Sequence, residues 1–168
     1  MKLKLAEFIG TVLYVGKSPF APGTVGSLVA LVTWFILKPS IIDPLFLFIT
    51  GGIFFVGIAV STLLIEAWNK KDPKEIVIDE WVGMWISLYL VPHEIIWGLV
   101  SFFFFRLFDI LKPGPVQVMD DMDDSIGVMM DDVVAGILAC LVTQSLLYFY
   151  QRRFQYYQLA MNYYLVKP

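Results

Sequence analysis

Charge is missing from long stretches of this chain, and the positions of those stretches set its architecture. Pro44–Ile65 runs 22 residues without a charge, close to the ~20 apolar residues that span a bilayer as a helix. Ser18–Leu37 runs 20. Its first third, SPFAPGTVGS, is rich in proline, glycine and hydroxyls and reads as a structured loop leading into a short helix from about Val25. Val133–Tyr150 runs 18 behind the acidic pair Asp131–Asp132. Trp81–Pro92 (12 residues) and Ile95–Phe105 (11 residues) flank His93–Glu94. Each is too short to cross alone, so they read as a helical hairpin whose charged ends extend it to bilayer length. Residues 3–15 read as an amphipathic segment lying against the membrane. Lys2 and Lys4 resemble the start of a signal peptide, but Glu7 interrupts the apolar run and no cleavage site follows. The pattern predicts an all-α, multi-helical integral membrane protein. It has about five hydrophobic segments plus the N-terminal amphipathic one, in a single domain over residues 1–168.

Composition agrees. The 168 residues are 58% hydrophobic and 16% charged, against about 45–50% and 25% in soluble domains. The one cysteine, Cys140, excludes a disulfide framework and a cysteine-rich zinc site. A net charge of −3 excludes a nucleic-acid partner held by bulk positive charge. Phe102–Phe105 read as lipid contacts, and residues 151–168 as an interfacial tail carrying Phe154, Tyr156, Tyr157, Tyr163 and Tyr164.

If all five segments cross, residues 1–24, 66–80 and 106–132 share one side. That side holds Lys2, Lys4, Lys17, Lys70, Lys71, Lys74, Arg106 and Lys112, which is 8 of the 12 basic residues; Lys38, Arg152, Arg153 and Lys167 lie opposite. The positive-inside rule makes the richer side cytoplasmic. Of the 15 acidic residues, 13 fall on it too, leaving only Asp43 and Glu94 on the other. Acidic residues contribute little to orientation. Their crowding points either to a divalent-cation site or to a solvated loop surface.

Three segment ends on that face carry charge clusters. Asp79–Glu80 open the third segment, Arg106, Asp109 and Lys112 close the fourth, and Asp131–Asp132 open the fifth. Arg106 and Asp109 are i,i+3 and share a helical face. Gly83 and Gly136 each follow an aspartate at i+4 and leave room for another helix to approach. Acidic pairs at helix starts also complement the macrodipole, worth about 0.3–1 kcal/mol each, so each cluster alone has a structural reading. Together, carboxylates select a hard cation such as Mg²⁺, Mn²⁺ or Ca²⁺, and the nearby bases suit a phosphate. The combination suggests metal-assisted phosphoryl chemistry on a lipid headgroup. A small cation transporter or channel using the same one-sided carboxylates is the alternative.

Other motifs are weaker. Asp121, Asp123, Ser125 and Asp132 fit positions 1, 3, 5 and 12 of a calcium loop, but Ile126 stands where that loop needs glycine. Asp120, Asp121, Asp123 and Asp124 read as a solvated acidic loop, and His93 as an interfacial residue on the opposite side.

In order, SPFAPGTVGSLVA, VIDEWVGMWISL, FRLFDILKPGP and GVMMDDVVAG resemble the phosphatidylglycerophosphatase A family, over Ser18 to about Ile137. The resemblance implies a Mg²⁺-dependent lipid phosphatase of a bacterial inner membrane, its site facing the cytoplasm, that converts phosphatidylglycerophosphate to phosphatidylglycerol and phosphate. It marks Asp79, Glu80, Asp109, Asp131 and Asp132 as the acidic set, Arg106 and Lys112 as the basic positions, and Ser18, Thr24 and Ser27 as part of the amino-terminal block. On that set we expect Asp79, Glu80, Asp131 and Asp132 to hold the metal, Asp109 (as ligand or base), Arg106 and Asp131 to be catalytic, and Lys112, Ser18, Thr24 and Ser27 to contact substrate. One stretch departs from the family pattern: Asp123-Asp124-Ser125-Ile126 stands before Gly127 where the family usually has glycines.

Overall fold

The computed structural model describes residues 2–37, 39–40, 42–70, 73–122 and 124–166, with side chains as far as Gln155. Lys38, Lys71, Asp123 and Lys167, and the side chains of Tyr156, Tyr157, Tyr163 and Tyr164, lie outside the described residues.

All regular elements among the described residues are helical. In chain order they are α1 (Lys2–Gly10), a 3₁₀ turn (Val15–Lys17), α2 (Pro22–Leu37), α3 (Pro44–Trp68), α4 (Ile78–Ser87), α5 (Ile95–Leu111), α6 (Pro115–Asp120) and α7 (Ser125–Val166). Each expected apolar segment contributes a helix, but α2 begins at Pro22 instead of about Val25, Trp81–Pro92 is helical only as far as Ser87, and the lengths are unequal. Only α3 and the Ser125–Gln155 part of α7 are long and apolar enough to cross a membrane; α2 stops at 16 residues, α5 at 17 and α4 at 10.

Local chemistry explains the boundaries. Asp43 caps α3, its carboxylate accepting from the N–H groups of Leu45 (3.0 Å) and Phe46 (3.1 Å), and Pro44 occupies the first turn where its missing N–H costs nothing. Asn69 in the left-handed region ends the same helix. Lys112, also left-handed at φ 45°, ends α5 just before Pro113. Pro115 then starts the short α6, an element the sequence pattern does not predict.

α4 is the central post, packed against α2, α3, α5 and α7. One side of it joins Trp34, Met84, Trp85, Leu88, Phe105, Ala135 and Ala139. The other joins Ala6, Val60, Leu64, Ile78, Val82 and Met129, so α1 is clamped onto α3 rather than lying free. Gly10 permits that clamp, since a Cβ there would lie 2.7 Å from the Leu64 side chain. Polar bonds tie the layers: Trp85 Nε1 donates to the Ala30 carbonyl (3.1 Å), and Ser101 Oγ donates to the Ser87 carbonyl (2.7 Å). On the turn between α4 and α5, His93 stacks on Trp34 at 3.8 Å.

The outer surface is apolar. Phe48 is 80% exposed, Phe55 71% and Ile96 69%, and only 28% of the most apolar stretch of α3 is buried inside the protein. A soluble monomer rarely exposes apolar surface on this scale. These faces fit lipid, whereas the polar side chains turn inward near one end of the bundle.

Candidate functional site

At that end, the starts of α2, α4 and α7 and the end of α5 meet around a cleft of about 930 Å³. The first turn of α2 contributes Pro22, Gly23 and Thr24. α4 contributes Asp79 and Glu80, and α7 contributes Asp131 and Asp132. From the end of α5 come Arg106, Asp109 and Lys112; Asp120 closes one side from α6, and Lys74 stands on the loop before α4.

Close helix contacts bring the acidic pairs together. Gly83 and Gly136 cross backbone to backbone: a Cβ on Gly83 would lie 2.5 Å from the Asp132 carbonyl oxygen, and one on Gly136 would collide with the Gly83 carbonyl. Gly23 acts in the same way for α2, because a Cβ there would collide with the Glu80 carboxylate. Gly26, one turn on, lets α2 press against Val77, whose Cβ would be 2.8 Å from an added methyl.

Each acidic pair has the same internal arrangement. Asp79 Oδ1 accepts from the Glu80 N–H at 2.9 Å, and Asp131 Oδ1 accepts from the Asp132 N–H at 2.9 Å. The second carboxylate of each pair keeps a buried oxygen, Glu80 Oε2 and Asp132 Oδ1, that makes no hydrogen bond among the described residues. One oxygen from each of Asp79, Glu80 and Asp132 lies within 4.8 Å of the others. Asp79 is 7% exposed and Asp132 3%. Such burial exceeds what complementing a helix dipole requires, and buried carboxylates are costly without a counter-charge. Accordingly, burial pushes the Asp79 pKa well up, with the adjacent Glu80 charge adding to it. Burial likewise drives Glu80 up to about 8, past the opposing hydrogen bond to Asp79.

The bases are oriented by named partners. Arg106 is paired with Asp109 at 2.5 Å and donates from Nη1 to Ser27 Oγ at 3.3 Å. Ser27 in turn donates to the Gly23 carbonyl at 2.7 Å. Arg106 Nε is buried without a partner among the described residues. Lys112 bridges Asp120 and Asp131, the latter at 2.9 Å. Burial alone would lower the Lys112 pKa, but the hydrogen bonds to these two carboxylates outweigh it and raise it.

The sequence-predicted residues thus divide. Asp79, Glu80, Arg106, Asp109, Lys112, Asp131, Asp132 and Thr24 all line the cleft. Ser27 is fully buried and touches Arg106 instead of the cleft space. Ser18 is not brought to it; its hydroxyl turns to the Phe20 backbone, donating to the carbonyl at 2.9 Å. Two further lining residues, Lys74 and Asp120, are ones that sequence reasoning does not single out for the site. Asp120, Asp121 and Asp124 are all exposed, as a solvated acidic surface requires, but Asp120 ends α6 and pairs with Lys112, and Asp124 Oδ1 accepts from the Gly127 N–H at 2.8 Å at the start of α7. Asp121 accepts from Gln117 at 2.9 Å.

The phosphatidylglycerophosphatase A family profile matches residues 8–147. The chain is 39% identical over 145 residues to a protein of Bacteroides thetaiotaomicron named putative phosphatidylinositol-3-phosphatase, covering 82% of this chain and 91% of that one. It is 33% identical over 126 residues to phosphatidylglycerophosphatase A of Escherichia coli, covering 74% and 73%. Against the Haemophilus influenzae protein of the same name the figures are 36% over 130 residues, 76% and 80%. No solved structure matches the chain at a significant level.

Proposed function

Because the chain belongs to the phosphatidylglycerophosphatase A family, we propose that it hydrolyses phosphatidylglycerophosphate to phosphatidylglycerol and phosphate. The reaction takes place at the cytoplasmic face of a bacterial inner membrane, in one membrane-embedded domain. The observation that carries this reading is the meeting of Asp79–Glu80 with Asp131–Asp132 beside Arg106 and Lys112 in one cleft. A cation path is less well supported, since these carboxylates gather at helix ends on one face. The orientation rests on the 8 of 12 basic residues assigned to that face.

The donor set fits a hard divalent cation. It consists of carboxylate oxygens, and two of them are buried without partners. Asp79, Glu80 and Asp132 would hold Mg²⁺, with Asp131, whose carboxylate meets Lys112, beside them. When bound, Mg²⁺ polarises phosphoryl oxygens and makes a water molecule acidic enough to attack at neutral pH.

The chain's own residues do the rest. Arg106, fixed by Asp109 and Ser27, meets the phosphoryl oxygens with preset donors, so little reorganisation accompanies charge build-up. Lys112, held by Asp120 and Asp131, adds a second positive charge. Thr24, on the first turn of α2, offers its hydroxyl where the helix start favours an anion. As the P–O bond to water forms and the bond to glycerol oxygen breaks, Asp109 accepts a water proton. Asp109 passes that proton on to the glycerol oxygen, which departs as the terminal hydroxyl of phosphatidylglycerol.

The test is phosphate release by detergent-solubilised protein from phosphatidylglycerophosphate, with Mg²⁺ and with chelator. Release is expected with Mg²⁺ and is abolished by chelator. Release undiminished by chelator, or none with Mg²⁺, overturns the reading.

A further inference from the structure

Three cations line the cleft, and two are committed to carboxylates. Arg106 is paired with Asp109, and Lys112 with Asp120 and Asp131. Lys74 has no carboxylate partner among the described residues, although it lines the same cleft. Its neighbour Glu75 pairs with Lys70 instead, at 2.8 Å.

The backbone beneath Lys74 is pinned. Pro73 is buried, and its carbonyl accepts from the Ile76 N–H at 2.9 Å. The Val77 N–H donates to the Gly10 carbonyl at 2.9 Å. Gly16 packs so closely on the Glu75 carbonyl that a Cβ there would collide with it. The result is an exposed ammonium on a flexible stem rooted in a fixed loop at the cleft wall.

The phosphatase reading, on which this inference rests, supplies a ligand with two phosphates. One is the monoester that is cut. The other is the diester joining glycerol to the lipid, which keeps one negative charge throughout the reaction. Arg106 and Lys112, both oriented by carboxylates, serve the monoester. A singly charged diester one glycerol away needs a cation free of carboxylates, and a compact ammonium suits it better than a bidentate fork.

We propose that Lys74 is the specificity-determining residue that binds the phosphodiester of the substrate, so that the site prefers a headgroup with two phosphates over a lipid whose only phosphate is the monoester. Diesters of surrounding bilayer lipids offer the same chemistry, and the choice of substrates separates the two sources.

Wild type, Lys74→Gln and Lys74→Arg are compared in neutral detergent micelles. For Lys74→Gln, the KM for phosphatidylglycerophosphate rises about fivefold, the size of one water-exposed charge pair, with kcat unchanged. The inhibition constant of phosphatidylglycerol, which carries only the diester, rises by a similar factor. That of inorganic phosphate stays put. Phosphatidate, followed as substrate or competitor, is unaffected, and Lys74→Arg restores most of the loss. An equal weakening toward phosphatidate means general attraction to an anionic surface and overturns the proposal. So does a Lys74→Gln protein that behaves as wild type. Wild type that releases no phosphate from phosphatidylglycerophosphate overturns the phosphatase reading itself, and Lys74's role with it.

Discussion

Gly83 and Gly136 touch through their backbones, a contact that a single methyl group on Gly136 would abolish by running into the Gly83 carbonyl. The Gly83 side is equally tight: a Cβ added there would stand 2.5 Å from the Asp132 carbonyl and 2.6 Å from the Phe105 ring. Asp79 and Asp132 each lie one helical turn before these glycines, so the crossing fixes the distance between the two acidic pairs. Gly136→Ala should therefore lower stability by about 1–3 kcal/mol, the usual cost of overpacking. It should lower activity more steeply than stability. A thermal melt in detergent beside a phosphate-release assay checks both.

Asp132→Asn and Asp79→Asn remove buried negative charge from a site built of carboxylates. Each should cut kcat/KM by at least about 100-fold, as loss of a metal ligand does. The metal-free protein should melt no lower than wild type, because a costly buried charge is gone. Added Mg²⁺ should raise the wild-type melting temperature and leave the variants nearly unmoved.

Ser27 meets Arg106 by a 3.3 Å hydrogen bond while donating to the Gly23 carbonyl at 2.7 Å. Ser27→Ala should reduce kcat about three- to tenfold, corresponding to one hydrogen bond of ~1 kcal/mol, with KM little changed. Arg106→Lys should cost more, since an ammonium lacks the fork that meets Asp109, Ser27 and a phosphate together. Steady-state kinetics on the two variants distinguishes these outcomes.

Asp120 and Asp121 are adjacent in sequence but not in role. Asp120 holds Lys112 against the cleft, whereas Asp121, among the described residues, meets Gln117 alone. Asp120→Asn should lower kcat/KM about tenfold through a displaced Lys112, comparable to losing an outer-shell partner. Asp121→Asn should stay within about twofold, as surface changes usually do. Equal losses would place both in the same role.

Much of this was legible in the chain. The uncharged run from Pro44 gives α3, and the i+4 glycines after Asp79 and Asp132 give the α4–α7 crossing, because helical periodicity fixes which residues share a face. Arg106 and Asp109 pair as i,i+3 neighbours should. Contacts between elements were harder. Lys112 bridges α6 and α7 from the end of α5, and no spacing rule spans that turn. α6 has only six residues, too few for a periodic pattern. Ser27 looks like a phosphate ligand because hydroxyls at helix starts often are. Its burial follows from how tightly Gly23 and Gly26 let α2 approach α4, which is a tertiary fact.

The turn that ends α4 has a consequence for α7. Tyr89 and Leu90 present carbonyls past the helix end, and α7 supplies their donors: Cys140 Sγ at 3.2 Å and Gln144 Nε2 at 2.6 Å. The same helix carries Asp131 and Asp132 about two to three turns earlier, with Gly136 between. Its axial position is therefore read off α4 at three heights. A slip of one turn, about 5.4 Å, would leave the two half-buried carbonyls without these donors as well as parting the carboxylates. The chain thus keeps α7 in register with bonds far from the cleft, so a change at Gln144 should reach the cleft as a shift along the helix axis and not as a local loss.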